Sequence, residues 1–233
     1  ALKEGKATEK SYQEEYKLVG YFGRINYNYQ GRYYLSASIR HEGSSKFGAD
    51  HKWGTFPAVS IGWNLKEESF LKNVRFLSFL KLRAGYGITG TIPGSPYLSL
   101  NTLDLGGYGY YGGQWTTLLR ASSNPNSDLR WEKKKETNIG LDFAFFNDRI
   151  SGSIDWYNRD TDDLIWDYTV SVPPYVKNTI TANAGSIRNR GLEVSLNFIP
   201  VKTKSFTWNT GINFSTNSNE LVSLSKGKYS SRG

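Results

Sequence analysis

A chain of 233 residues with 15% aromatic residues, 24 Gly, only 38% hydrophobic residues and a mean hydropathy of −0.54 is too polar for a helical membrane protein. It contains no apolar run near the roughly 20 residues that a spanning helix needs. The net charge of +8 is spread over turns and loops rather than gathered on one helix or face, so no nucleic-acid partner is expected. Cysteine is absent, which leaves the redox compartment open.

The opening segment, residues 1–17, is polar and charged and has no basic stretch followed by an apolar core, so no signal peptide is visible. There is no Met, and the chain is expected to be cut from something larger. From residue 24 onward the dominant signal is period two, the spacing that sends alternate side chains to opposite faces of a strand. The first such segment sets Ile25, Tyr27 and Tyr29 against Arg24, Asn26 and Asn28. After Gln30-Gly31 the second sets Tyr33, Leu35, Ala37 and Ile39 against Tyr34, Ser36, Ser38 and Arg40. The third has Val59, Ile61 and Trp63 opposite Ser60, Gly62 and Asn64. The fourth has Leu80, Leu82, Ala84 and Tyr86 opposite Lys81, Arg83, Gly85 and Gly87. A fifth places Ile139, Leu141, Phe143 and Phe145 on one side, with Asn138, Gly140, Asp142 and Ala144 on the other. The sixth contributes Ile150, Ile154 and Trp156, the seventh Leu192, Val194, Leu196 and Phe198, and the eighth Trp208, Ile212 and Phe214.

Alternation alone also fits a soluble sandwich, whose apolar face would pack on a second sheet. The connections argue otherwise. Short turns are expected at Gln30-Gly31, at Asn147-Asp148 and across residues 200–204, with a medium link at residues 66–78 able to hold a single helical turn. Long loops are expected near 41–57, 89–136 and 159–190. Structureless loops beyond about 15 residues are uncommon in compact soluble domains. Short turns at one rim and long loops at the other suit an outer-membrane barrel, periplasmic and extracellular respectively. Tyr21, Phe22, Trp63, Tyr86, Trp156 and Trp208 recur near strand ends, where interface girdles would lie. Eight strands could close a small barrel, but the 89–136 loop is too elaborate for one. An open eight-strand sheet would leave unpaired edges in lipid, so further strands are expected elsewhere in a longer chain. The fold class is therefore all-β, an antiparallel transmembrane β-barrel segment of about eight strands.

Seven motifs in order resemble the middle barrel of SusC/RagA-type TonB-dependent transporters. They are YFGRINY at 21–27, LSASIRHEGSSKFG at 35–48, WGTFPAVSIGW at 53–63, LKLRAGYGITG at 80–90, the stretch from NPNSDLRW to GSIDWY at 124–157, GSIRNRGLEVSLN at 185–197 and FSTNSNEL at 214–221. The resemblance implies a plugged barrel of the 22-strand outer-membrane class, multi-pass in a Gram-negative outer membrane among lipid and lipopolysaccharide. It implies import of oligosaccharides, glycans or peptides, a SusD-like surface lipoprotein as lid, power from a TonB–ExbB–ExbD complex acting on a plug, and a dimer of transporter–lid pairs. The chain contains neither plug nor TonB box, so no TonB-contacting residue can be assigned.

No catalytic constellation stands out and no cofactor is implied. His41 and His51 lie in one loop, where an ordinary surface role competes with a metal pair. Asp160, Asp162 and Asp163 could gather Ca²⁺, or form a solvated acidic turn. The Gly/Tyr run at 106–113 lacks the Lys-Ser/Thr of a phosphate loop. Its Tyr108, Tyr110 and Tyr111, with Trp115, are the candidate substrate-contacting residues, because aromatic faces suit sugar rings and the Tyr hydroxyl adds a hydrogen bond. The same rings suit a peptide, a lid protein or plain loop packing. Trp166, Tyr168 and Tyr175 near Pro173-Pro174 form a secondary candidate. Arg24, Arg40, Arg83 and Asp142 are expected to line the channel or hold the plug. Active import competes with a passive porin-like channel and with an outer-membrane barrel enzyme.

Overall fold

The computed structural model describes residues 13–225, so most of the charged opening segment lies outside the described residues. All eight expected strands are present, and each is longer than its alternating stretch. They are β1 (Leu18–Tyr29), β2 (Tyr33–Ser44), β3 (Trp53–Asn64), β4 (Leu77–Thr91), β7 (Glu132–Phe145), β8 (Ile150–Asp162), β11 (Ser186–Lys202) and β12 (Thr207–Ser223). They form one antiparallel sheet in the order β1-β2-β3-β4-β7-β8-β11-β12. Two loop hairpins supply the remaining strands, β5 (Leu103–Tyr111) with β6 (Gln114–Ala121) and β9 (Ile165–Thr169) with β10 (Thr179–Asn183).

Register fixes the two faces. Directly paired residues of an antiparallel sheet project to the same side. One row runs Tyr29, Tyr33, Trp63, Leu82, Leu141, Ile154, Val194, Phe214, apolar across all eight strands. The adjacent row runs Asn28, Tyr34, Gly62, Arg83, Gly140, Asp155, Glu193, Ser215 and faces the other way. A one-residue slip anywhere would exchange the faces, so the register holds wherever the apolar band must stay out of water. The band also steps across the rows. Apolar residues continue as far as Ile39 on β2 but give way to Thr137 after Ile139 on β7 and to Arg190 after Leu192 on β11. That diagonal is the strand tilt of a barrel wall.

Beyond the band the ladder continues on polar residues. The β2–β3 pairing runs on to Gly43↔Trp53, which shortens the expected 41–57 loop to residues 45–52, with a 3-10 turn at Ala49–His51. Period-two hydrophobicity marks only the part of a strand that borders an apolar medium, whereas backbone hydrogen bonds need no apolar side chain. The short-turn rim holds a turn at 30–32, with positive φ at Gln30 (52°) and Gly31 (67°). Arg32 N–H returns to the Tyr29 carbonyl at 2.9 Å. It also holds a 3-10 turn, Leu65–Glu67, followed by the single helical turn α1 (Ser69–Lys72).

Candidate functional site

The polar face is held together by charge. Arg83 donates from Nε to Asp142 Oδ2 at 2.7 Å, and from Nη2 to Asp142 Oδ1 at 2.8 Å and Asp155 Oδ1 at 2.9 Å. The fork thus ties β4, β7 and β8 across three adjacent strands. It fits because position 140 carries no side chain: a Cβ there would lie 2.4 Å from Asp155 Oδ1 and 2.7 Å from Arg83 Nη2. Lys81 Nζ sits 4.3 Å from the Tyr34 ring centroid. Arg159 pairs with Glu136 at 2.9 Å, and Arg40 pairs with the buried Glu42. With Arg24 at 5.3 Å over the Phe22 ring, the expected wall residues Arg24, Arg40, Arg83 and Asp142 all take defined positions on one face. Between them the surface is amide and hydroxyl: Asn26, Ser36, Ser60, Asn138, Ser153, Ser195 and Asn213.

Beyond the strands the long loops condense into a body of their own. Phe47, Phe56, Leu129 and Trp131 are buried together, with Ile88, Ile92, Leu98 and Ile165 packed around them. Lys46 Nζ is buried there, donating to the Pro93 carbonyl at 2.9 Å and the Gly94 carbonyl at 2.6 Å while facing the Tyr16 ring at 4.3 Å. A second cluster, Tyr168, Ile180, Ala182 and Ala184, packs with Val170 and Tyr175.

Three asparagines join the two long loops. Asn124 Nδ2 donates to the carbonyls of Lys177 (2.7 Å) and Thr179 (2.8 Å), while its Oδ1 accepts from the N–H groups of Val176 (2.9 Å) and Lys177 (3.2 Å). Asn126 donates to the Thr181 carbonyl at 3.0 Å. Asn183 accepts from Arg130 N–H at 2.8 Å and donates to the Arg130 and Asp163 carbonyls at 2.7 and 3.0 Å. The three side chains act as backbone surrogates, closing ladders where no strand is available.

From this body projects the β5–β6 hairpin. A register shift between Leu105 and Gly107 puts Leu103, Leu105, Tyr108 and Tyr110 on the same side as Leu119, Thr117 and Trp115. Tyr110 meets Trp115 edge-on at 5.5 Å. Tyr108, Tyr110, Tyr111 and Trp115 are 65–85% exposed, so the four candidate residues share one blade without being packed into the loop core. Tyr111 is opposite Gln114 and turns to the reverse side. In the secondary loop Trp166 is exposed, whereas Tyr168 is buried and donates to the Leu224 carbonyl at 3.0 Å, which makes it a core residue.

The acidic run is dispersed. Asp160 is paired with Arg188 at 2.7 Å, Asp162 with Lys135 at 2.9 Å and Asp163 with Arg130 at 2.9 Å. The Asp163 carboxylate holds the Arg130 guanidinium above its usual range. Three carboxylates each neutralised by a separate cation are not arranged to converge on one ion, and no cluster of three or more metal-ligating side chains occurs among the described residues. His41 stacks on Trp53 at 4.8 Å and its Nδ1 lies 2.9 Å from Thr55 Oγ1.

The family model for TonB dependent receptor-like β-barrels matches residues 4–231. The chain is 42% identical over 223 residues to the TonB-dependent receptor SusC of Bacteroides thetaiotaomicron, covering 93% of this chain and 22% of that protein. It is 40% identical over 208 residues to the TonB-dependent receptor P39 of Formosa agariphila, covering 89% of the chain and 20% of the relative. The RagAB peptide transporter superposes with a TM-score of 0.81 at 28% identity, over 92% of this chain and 23% of that one. The siderophore receptor PirA of Acinetobacter baumannii shares the fold alone, with a TM-score of 0.57 at 17% identity over 87% of this chain and 28% of that one. The chain thus spans about a fifth of the length of these curated relatives.

Proposed function

We propose that this chain, which belongs to the TonB-dependent receptor β-barrel family, forms part of the channel wall and outer-loop cap of an active outer-membrane importer. The observation that carries the reading is the register row from Tyr29 to Phe214, apolar on all eight strands and backed by an amide-rich, internally neutralised face. Such a wall needs lipid on one side and water on the other. The short-turn rim then faces the periplasm and the loop body faces outward. The chain acts as a transporter wall and not as an enzyme. In the whole protein, a plug drawn on by TonB–ExbB–ExbD opens the path, and a SusD-like lipoprotein closes over the loops.

The blade carrying Tyr108, Tyr110, Tyr111 and Trp115 contacts the incoming substrate, a glycan or a peptide. A second reading, contact with the lid, is favoured by Leu103, Leu105 and Leu119, which lengthen the same apolar side beyond the rings. One experiment addresses both. Uptake by cells carrying the full-length transporter is measured with and without TonB, for wild type and for Tyr110→Ala/Trp115→Ala. Active import requires uptake to cease without TonB; undiminished uptake would establish a passive channel. A substrate role predicts at least a tenfold weaker half-saturation with normal lid co-purification, and a lid role predicts lost co-purification. Neither change would remove the blade from the site.

A further inference from the structure

The short-turn rim differs in chemistry from the loop end. At the loop end three cations are matched by carboxylates, Lys135 with Asp162, Arg130 with Asp163 and Arg188 with Asp160, and Lys46 is held by the Pro93 and Gly94 carbonyls. At the turn end Lys72, Arg75, Arg149, Lys202 and Lys204 have no carboxylate within 4.0 Å among the described residues. Of the three carboxylates there, Glu67, Glu68 and Asp148, Glu68 lies 3.9 Å from Arg32 of the first turn and is held by two neutral donors as well. Glu68 Oε1 accepts from Tyr33 Oη at 2.6 Å and from Trp63 Nε1 at 3.0 Å.

Those two donors belong to the apolar row, so the turn at 65–76 is tethered at Glu68 to the lipid side of the wall. Two more contacts hold it there. Lys66 Nζ donates to the carbonyls of Leu71, Lys72 and Val74 at 3.2, 3.1 and 2.8 Å, closing the helical turn on itself. Phe76 stacks on Phe145 at 6.2 Å, and its carbonyl accepts from Phe146 N–H at 2.7 Å, which joins this turn to the next. The result is an apolar shelf, with Phe70, Phe76 and Phe146 exposed at 64, 54 and 54%. An open cleft of about 700 Å³ between the two turns is lined by Lys72, Arg75, Ser78, Asn147 and Asp148.

We propose that this shelf and its unpaired cations form a seat for anionic phospholipid in the inner leaflet of the outer membrane. The phenyl rings enter the acyl boundary, and Lys72, Arg75 and Arg149 meet the headgroup phosphates. Aromatic rings at the interface with long cationic side chains reaching past them are the pattern of interfacial anchoring. A basic residue next to an anionic lipid surface strengthens binding about fivefold. The inference rests on the orientation given above, in which the short turns are periplasmic.

The test uses the full-length transporter, delipidated in neutral detergent and titrated with phosphatidylglycerol or phosphatidylcholine by native mass spectrometry. Wild type is expected to prefer phosphatidylglycerol by tenfold or more. Lys72→Gln/Arg75→Gln/Arg149→Gln should abolish that preference, Lys72→Arg should keep it, and Phe76→Ala should weaken both lipids alike. An unchanged preference in the triple variant overturns the proposal. Inorganic phosphate displacing phosphatidylglycerol at millimolar concentration would also overturn it, assigning the cations to a soluble anion. A parallel arm labels Lys204→Cys with an impermeant maleimide on whole cells. Labelling without permeabilisation refutes the orientation itself, while protection together with an unchanged lipid preference refutes this inference alone.

Discussion

Replacing Asn124 with Ala should unlock the two long loops from each other. The side chain is 6% exposed and makes four hydrogen bonds, two donated and two accepted, all to backbone between residues 176 and 179. Each such bond contributes about 1 kcal/mol net, and a buried donor or acceptor left without its partner costs about 1–3 kcal/mol. Ala removes all four at once, but water can reach some of the freed groups once the loop opens. A local loss of about 3 kcal/mol follows, equivalent to about a hundredfold in the opening equilibrium. Hydrogen exchange by mass spectrometry on the full-length transporter reads this directly. The amides of Val176 and Lys177, which Asn124 protects, should exchange about a hundredfold faster, while amides of β7 and β8 stay unchanged. Asn124→Asp keeps the acceptor and loses the donors, so protection of those two amides should fall less than in Ala. Exchange at residues 176–179 within threefold of wild type would refute the assignment of Asn124 as the lock, as would a loss spread evenly through the barrel wall.

Gly140→Val should disrupt the Arg83–Asp142–Asp155 fork, because the added Cβ would lie 2.4 Å from one carboxylate oxygen and 2.7 Å from the guanidinium. The groups are partly exposed, so about 1–2 kcal/mol is expected, read as a lower temperature of heat-induced unfolding on gels. Gly62→Ala is the control, since its Cβ comes closest, at 2.9 Å, to the flexible end of Lys81 and meets Tyr34 Cβ only at an ordinary 3.5 Å; equal effects would refute the role given to the fork. The hydroxyl of Tyr33 and the indole of Trp63, with Arg32 nearby, hold the Glu68 carboxyl below the usual carboxylate range. Its folded value lies below its unfolded one, so its stabilisation of the turn is full at neutral pH and is lost as acid carries the pH down through that depressed value. The Trp63 indole N–H resonance should titrate with a midpoint below ordinary glutamate; a midpoint at or above it, or the same titration in Glu68→Gln, would contradict the clasp.

The strands were legible in the residues because a membrane wall makes an unusually strict demand. Every second side chain must be apolar and its neighbours polar, and all eight alternating stretches from Ile25 to Phe214 entered the single sheet. Strand ends were less legible. The extensions at His41–Ser44 of β2 and Glu132–Thr137 of β7 carry no apolar alternation, because they lie past the lipid band: the end of β2 is buried against the loop body through Glu42 and Ser44, which the ladder and polar contacts satisfy. The four loop strands were missed because five to nine residues outside the lipid band need no strict alternation, even where β9 and β10 bury Tyr168, Ile180 and Ala182. The 106–113 run, in the sequence a glycine-rich loop presenting aromatic rings, is a hairpin, with Gly112 and Gly113, at φ 58° and 81°, making its tight turn.

The candidate site divides along the same line. Tyr108, Tyr110, Tyr111 and Trp115 stood out because aromatic residues interleaved with glycine are distinctive in a loop, but only the structure separates their 65–85% exposure from plain loop packing. Asn124, Asn126 and Asn183 did not stand out, because asparagine is ordinary in loops and each has a partner more than 50 residues away. NPN at 124–126 carried a clue, since two amides flanking a proline in a buried-aromatic context suit backbone capture. The acidic run left a shared ion and a solvated turn both open, and neither describes it: Asp160 and Asp162 lie on a strand, each on its own cation, while Asp163, at φ 55°, turns off it toward Arg130. Alternation therefore locates the wall, whereas the cap is specified by single polar side chains that reach between loops. Sequence change at the blade can thus be accommodated without disturbing the register row that holds the barrel in lipid.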